Sequence, residues 1–149
     1  MTFRRACPED IPVLVSLRKV QLQEEGAENP EVLLPAAEAY YRRHMADGTF
    51  AAWLAEKDGE VVATGGMALA EKPPYGGNPS GKIGLLCGMY TRPGHRRQGI
   101  AREILAYVVE EARRWGCGAV HITASDVGAL LYRDFGFLPN GNFMWYPLN

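Results

Sequence analysis

The stretch Arg96-Arg97-Gln98-Gly99-Ile100-Ala101 decides the reading of this chain. It follows an apolar, strand-like run from Ile83 to Thr91 and opens an amphipathic segment that continues to Trp115. In that segment Ala101, Ile104, Leu105, Val108 and Ala112 recur at helical spacing, which predicts a helix with one stripe packed on a sheet. A glycine-bearing turn that opens a helix presents backbone N–H groups without intrahelical acceptors, at the positive end of the helix dipole. Such a turn suits a phosphate or pyrophosphate. Gly99 lets the backbone approach the anion, and Ala101 keeps the next position small. Arg92, Arg96, Arg97 and Arg102 add charge-assisted donors. Taken alone, the same cluster also fits an arginine-rich solvated loop.

Missing residues narrow the ligand. Gly94 and Gly99 have the spacing of a nucleotide-hydrolysing P-loop, but Ile100 and Ala101 stand where Lys and Ser or Thr are needed. Gly116 and Gly118 begin a dinucleotide fingerprint, yet His121 takes the third glycine position and the segment runs from helix into strand. A second pattern follows at residues 125 to 137, SDVGALLYRDFGF. Arg96-x-x-Gly99-x-Ala101 after a strand, with Pro93 before it, resembles the acyl-CoA-binding turn of the GNAT superfamily of N-acetyltransferases. Ser125, Gly128, Tyr132, Gly136 and Phe137 fall on the positions of that family's closing motif. Two motifs in the right order make the resemblance specific over residues 82 to 137. Over the first 80, only the order of elements matches.

The remaining elements read as follows. Thr2 to Ala6 forms an edge strand, and Pro8 starts a helix reaching Leu22, with Cys7 at its cap. Ala36 to Met45 is a second helix, ended near Asp47-Gly48. Phe50 to Glu56 and Glu60 to Leu69 are strands joined by an Asp58-Gly59 turn. Glu71 to Gly81, rich in proline and glycine, is a loop long enough to shape an active-site mouth. Ala119 to Thr123 is a strand, and Ser125 caps a short helix to Phe135. Phe137 to Leu148 returns as an aromatic-rich strand, with Asn140-Gly141-Asn142 as a turn or bulge. A meander followed by strand–helix–strand–helix–strand gives a mixed α/β sheet. The resemblance makes this a GNAT-like α/β fold in one domain, 1–149. Its central sheet is mixed and mostly antiparallel, flanked by helices on both faces and splayed at the central strands.

Composition sets outer bounds. At 149 residues, 47% hydrophobic and 22% charged, the chain is an ordinary globular protein with room for a core. A net charge of −1 gives no global pull towards nucleic acid or an anionic membrane. Apolar runs are far short of a membrane span, and the first ten residues lack the apolar centre of a signal peptide, so cytoplasmic residence is expected. Three scattered cysteines and three scattered histidines suggest neither a disulfide framework nor a metal site.

The resemblance implies acetyl-CoA as co-substrate, no metal, and an amine acceptor attacking the thioester directly in a ternary complex. It puts Met89, Tyr90 and Thr91 along the pantetheine arm and Arg96, Arg97, Gln98, Gly99, Ile100, Ala101 and Arg102 around the pyrophosphate. Ser125 contacts the cofactor or merely caps its helix. Tyr132 becomes the general acid that protonates the CoA thiolate; as a structural residue it would only pack against the sheet. Many relatives carry a basic Glu on the central strand, but Lys82 to Tyr90 holds no carboxylate. Glu24, Glu25, Glu28, Asp126, His121 and a water chain are the candidates that remain. Cys87, on the central strand, is a nucleophile in a ping-pong alternative or simply a small apolar residue. No basic residue lies between Lys19 and Arg42, so Glu24, Glu25 and Glu28 either recruit a cationic amine or form a solvated acidic loop. A small amine is the first choice of acceptor. A protein lysine or N-terminal amine comes next, and a non-catalytic acyl-CoA-binding regulatory domain is the rival from another class. A homodimer is compatible with all three.

Overall fold

Asp58 and Gly59 both adopt positive φ, 52° and 80°. Two such residues make the tight turn whose twist matches that of paired strands. They join β2 (Phe50–Lys57) to β3 (Glu60–Glu71), and β1 (Thr2–Arg5) pairs with the far edge of β2. The sheet continues through β4 (Lys82–Thr91) to β5 (Ala119–His121) in the order β1-β2-β3-β4-β5. All neighbours are antiparallel except β4 and β5, which run parallel. The computed structural model describes residues 1–124 and 126–149, and of Asp126 and Val127 only the backbone.

Helices cover both faces. On one lies α3 (Ile100–Arg114), whose Ile104, Leu105 and Val108 are fully buried against Val62, Met67 and Leu86. Gly65 permits the close seating of α3. A Cβ there would stand 2.4 Å from the Met89 sulfur and 2.7 Å from a methyl of Ile104. α4 (Asp126–Phe135) joins this layer through Tyr132. On the other face Leu14 of α1 (Ile11–Glu24) packs with Phe50, Ala52 and Leu54, and α2 (Leu34–Asp47) adds Tyr41 and Met45. A single 3₁₀ turn, Pro8–Asp10, precedes α1. There the Asp10 carboxylate accepts from the Cys7 N–H at 2.8 Å and from both Arg4 guanidinium ends at 2.7 and 2.8 Å.

Two irregularities in β4 open the sheet. Thr64 pairs with Tyr90 and Gly66 with Cys87, so Gly88 and Met89 together oppose Gly65. This is a β-bulge, and Gly88 supplies the positive φ, 64°, that it uses. Next, β5 pairs with β4 only from Ile83 to Leu85. From Leu86 to Thr91 the outer edge of β4 has no neighbouring strand among the described residues, which is the expected splay.

Two readings of the sequence are corrected. Phe137 to Leu148 is not a strand. Its aromatic and apolar residues meet no sheet edge, and Phe143, Met144, Trp145, Tyr146 and Leu148 are 77–93% exposed. Strand propensity expresses packing against neighbours, and a segment without a partner edge does not realise it. The loop after β3 shapes no mouth of either cavity described below, for none of its residues lines them. Buried Asn78 ties it together by donating to the Lys82 carbonyl at 2.9 Å and the Tyr75 hydroxyl at 3.1 Å.

Candidate active site

The turn before α3 is built from two left-handed residues, Arg97 at φ 61° and Gly99 at φ 82°. The first bond of the helix runs from the Glu103 N–H to the Gly99 carbonyl, 3.2 Å. The N–H groups of Ile100, Ala101 and Arg102 come before it and lack intrahelical acceptors. Residues Arg96 to Gly99 are exposed. Two of the four arginines are spent on the protein itself. Arg96 donates to the Thr91 carbonyl at 2.8 Å and to Glu24 at 2.7 Å. Arg92 donates to the Val61 carbonyl at 3.0 Å. Arg97 and Arg102 have no carboxylate partner among the described residues, and Arg102 lies over the Phe135 ring at 5.7 Å. A concave run of free N–H groups with two uncommitted guanidiniums fits a pyrophosphate.

Met89, Tyr90 and Thr91 adjoin this turn along the open edge of β4. Met89 sends its side chain into the α3 layer, while its carbonyl accepts from the Gln21 amide at 3.2 Å. The buried Tyr90 hydroxyl meets the Glu24 carboxylate. That bond and Arg96 hold the Glu24 carboxyl below the usual range. Glu24 closes α1, where a negative charge opposes the helix dipole, and Arg96 offsets it. Of the acidic triplet, Glu24 is therefore engaged with the turn, whereas Glu25 and Glu28 are exposed.

Beyond the end of β5 pairing lies a cavity of about 810 Å³, lined by Leu86, Val120, Ile122, Tyr132 and Phe137 among others. Tyr132 is only 8% exposed. Its carbonyl accepts from the Gly136 and Phe137 N–H groups at 3.1 and 2.9 Å, and its ring meets Phe137 edge-on at 5.7 Å. The Gly136-Phe137 pair of the motif thus fixes the tyrosine. No described residue hydrogen-bonds the Tyr132 hydroxyl, and burial pushes its pKa up. A neutral phenol with an uncommitted proton can act as an acid. His121 lines the same cavity. Ser125 lies outside the described residues, as does the side chain of Asp126.

A smaller cavity of about 220 Å³ sits on the opposite face, between α1, α2 and the sheet. Leu14, Arg18, Tyr40, Tyr41 and Phe50 form its walls, and Cys87 and Gly88 its floor at the bulge. The Cys87 thiol is reachable yet ringed by protein, and burial pushes its pKa up to about 11. At neutral pH it is a thiol, which disfavours a covalent path. Glu25 and Glu28 do not line this cavity. Arg18 and Gln21 went unread in the sequence. Their signal is spacing: Leu14, Arg18 and Gln21 stand at i, i+4 and i+7, polar residues continuing a buried face.

Among the described residues no group of three or more His, Cys, Asp or Glu is placed to hold a metal ion, and no helix is long and apolar enough to cross a membrane. The model of the acetyltransferase (GNAT) family matches residues 16–137. A structure from Clostridium acetobutylicum, described as a predicted acetyltransferase with acetyl-CoA, is 31% identical with a TM-score of 0.93, and the match covers 99% of this chain and 96% of that one. A GCN5-related N-acetyltransferase from Ralstonia eutropha JMP134 shares the fold at 24% identity and a TM-score of 0.89, covering 99% and 97%. So does AAC(6')-Iy in complex with a bisubstrate analog, CoA-S-monomethyl-acetylneamine, at 19% and 0.80, covering 99% and 97%. No curated protein matches the chain.

Proposed function

The chain belongs to the GNAT family of acetyltransferases, and on that premise we propose that it acetylates a small primary amine within a single catalytic domain spanning residues 1–149. It is an acyl-CoA-dependent transferase with acetyl-CoA as its co-substrate, which supplies the activated acetyl thioester. The N–H groups from Gln98 to Arg102 hold the pyrophosphate, with Arg97 and Arg102 adding charge. The open edge of β4 from Met89 to Thr91 receives the extended arm as a strand would be received. A backbone N–H at the bulge, near Met89, polarises the thioester carbonyl. The amine loses a proton to water, since β4 carries no carboxylate, and attacks that carbonyl. A C–N bond forms, the C–S bond breaks, and Tyr132 gives its proton to the sulfur. The Tyr132 hydroxyl beside the splay, without a hydrogen-bond partner among the described residues, carries this reading. A small acceptor is supported by the 220 Å³ cavity, walled by two helices and too narrow for a folded surface. Release of free thiol from acetyl-CoA across a library of small amines and lysine peptides tests it. Turnover of peptides with no small amine accepted would overturn the choice of acceptor.

A further inference from the structure

Arg18 is the only charged side chain among the residues lining the smaller cavity. Its guanidinium donates through Nη1 to the Gln21 side-chain oxygen at 2.9 Å. Among the described residues no carboxylate pairs with it. The neighbouring cations differ in this respect: Lys19 faces Glu31 at 3.5 Å and Arg96 faces Glu24 at 2.7 Å. Apart from Gln21 and Thr64, the other side chains of the wall are apolar or aromatic. Phe50 sits between Tyr40 and Tyr41, with ring centroids 5.5 and 5.3 Å away. A half-buried cation facing such walls without a counter-charge is costly unless something else supplies the charge. Gln21 also donates to the Met89 carbonyl, so the guanidinium is oriented by a chain of bonds that starts on the bulge itself. The cavity therefore has a fixed cation on one wall, an aromatic body, and the floor at Cys87 and Gly88.

We infer that the acceptor is an amine that also carries an anionic oxygen group, a carboxylate or a phosphate, which Arg18 binds. The amine then lies towards Gly88 and the thioester, and the rings cover whatever joins the two ends. The inference rests on the transferase reading above and narrows its substrate class. A guanidinium presents several N–H donors in one plane, and one is taken by Gln21, so the rest remain for two oxygens of one anion.

The test uses matched acceptors with saturating acetyl-CoA. Glycine, methionine and phenylalanine are each set beside the corresponding carboxamide and decarboxylated amine, and phosphoethanolamine beside ethanolamine. The wild type should favour one anionic series over its neutral counterparts by ~10-fold or more in kcat/KM, as expected for charge-assisted hydrogen bonds. Arg18→Gln should abolish that preference, chiefly through the acceptor KM, and Arg18→Lys should restore part of it. Acetyl-CoA affinity and thermal stability of both variants should match the wild type. Which series responds separates carboxylate from phosphate. Neutral amines used as well as anionic ones, or a preference that survives Arg18→Gln, overturns the inference. If no amine is acetylated although acetyl-CoA binds, the small-amine reading fails. Arg18 is then tested by calorimetry on the complex with CoA. N-acetylphenylalanine must bind more tightly than its amide, and equal affinities overturn the inference on their own.

Discussion

Replacing Tyr132 with Phe removes one oxygen from a site where no described group bonds to it. No partner is orphaned, and the ring keeps its edge-on contact with Phe137 at 5.7 Å. Stability should therefore change by less than about 0.5 kcal/mol. If the phenol protonates the leaving thiolate, kcat should fall on the order of 10²-fold, which is about 2.7 kcal/mol of barrier. Acetyl-CoA affinity should stay nearly intact, because the turn before α3 is untouched. Burial raises the Tyr132 pKa, so the proton stays on the phenol up to and beyond the ordinary value of about 10. The wild-type kcat should accordingly show no loss from this group below that pH, and should decline only as the pH passes the raised pKa. The assay is thiol release under acetyl-CoA saturation, from pH 6 to about 10.5, beside urea unfolding and calorimetric titration of acetyl-CoA. A folded Tyr132→Phe protein with wild-type kcat would falsify the assignment and leave water as the proton donor.

Gly99→Val puts a β-branched residue at φ 82°, where no atom lies within 4 Å of the new Cβ. The damage falls on backbone and ligand rather than on packing, and calorimetry should show acetyl-CoA binding weakened at least ~10-fold. The acidic triplet should divide. Glu24→Gln loosens Tyr90 and Arg96 and should raise the acetyl-CoA KM, whereas Glu25→Gln with Glu28→Gln should raise the amine KM and flatten its salt dependence only for amines of net positive charge. An unchanged amine KM in the double variant makes those two residues surface only. Arg4 holds the Asp10 carboxyl well below the usual range, so the pair's contribution is present above the unfolded pKa of about 3.9 and is lost as pH falls through the folded one. Asp10→Asn should cost about 1 kcal/mol near pH 7 in urea melts, discounted for the partial exposure of Arg4, and the gap to wild type should close in acid.

The helical half of the fold was legible because its signals are local. The stripe from Ala101 to Ala112, the Asp58-Gly59 turn and the Gly48 end of α2 each lie within a few residues of the structure they specify. The left-handed turn that opens α3 was legible for the same reason. Non-local features were not. That Glu24 bonds to Tyr90 and Arg96 depends on a helix end meeting a strand and the turn after it, 66 and 72 residues further on. The cavity at Arg18 depends on α1, α2 and three strands converging, and no single segment encodes that. Phe137 to Leu148 misled in the opposite direction. Its aromatic composition is that of a strand, but composition states only what would pack well on a sheet, not that an edge is there to receive it.

The bulge at Gly88 has an arithmetical effect. Along a regular strand, odd and even positions look to opposite sides, so parity alone says which face a residue serves. In β4, Leu86 faces the α3 layer and Cys87 the smaller cavity. Counting on, Met89 would share the side of Cys87 and Tyr90 that of Leu86. The extra residue inverts the count. Met89 drops into the α3 layer, and Tyr90 comes round to the end of α1, where Glu24 waits with Arg96. One insertion thus lets a single strand obey two phases, the first serving the smaller cavity and the second bracing the turn before α3. Deleting Gly88 would set Met89 directly after Cys87, so plain alternation would still send Met89 to the α3 layer and Tyr90 to the end of α1; what the strand would lose is the extra backbone unit at the mouth of the splay, not the side its side chains take.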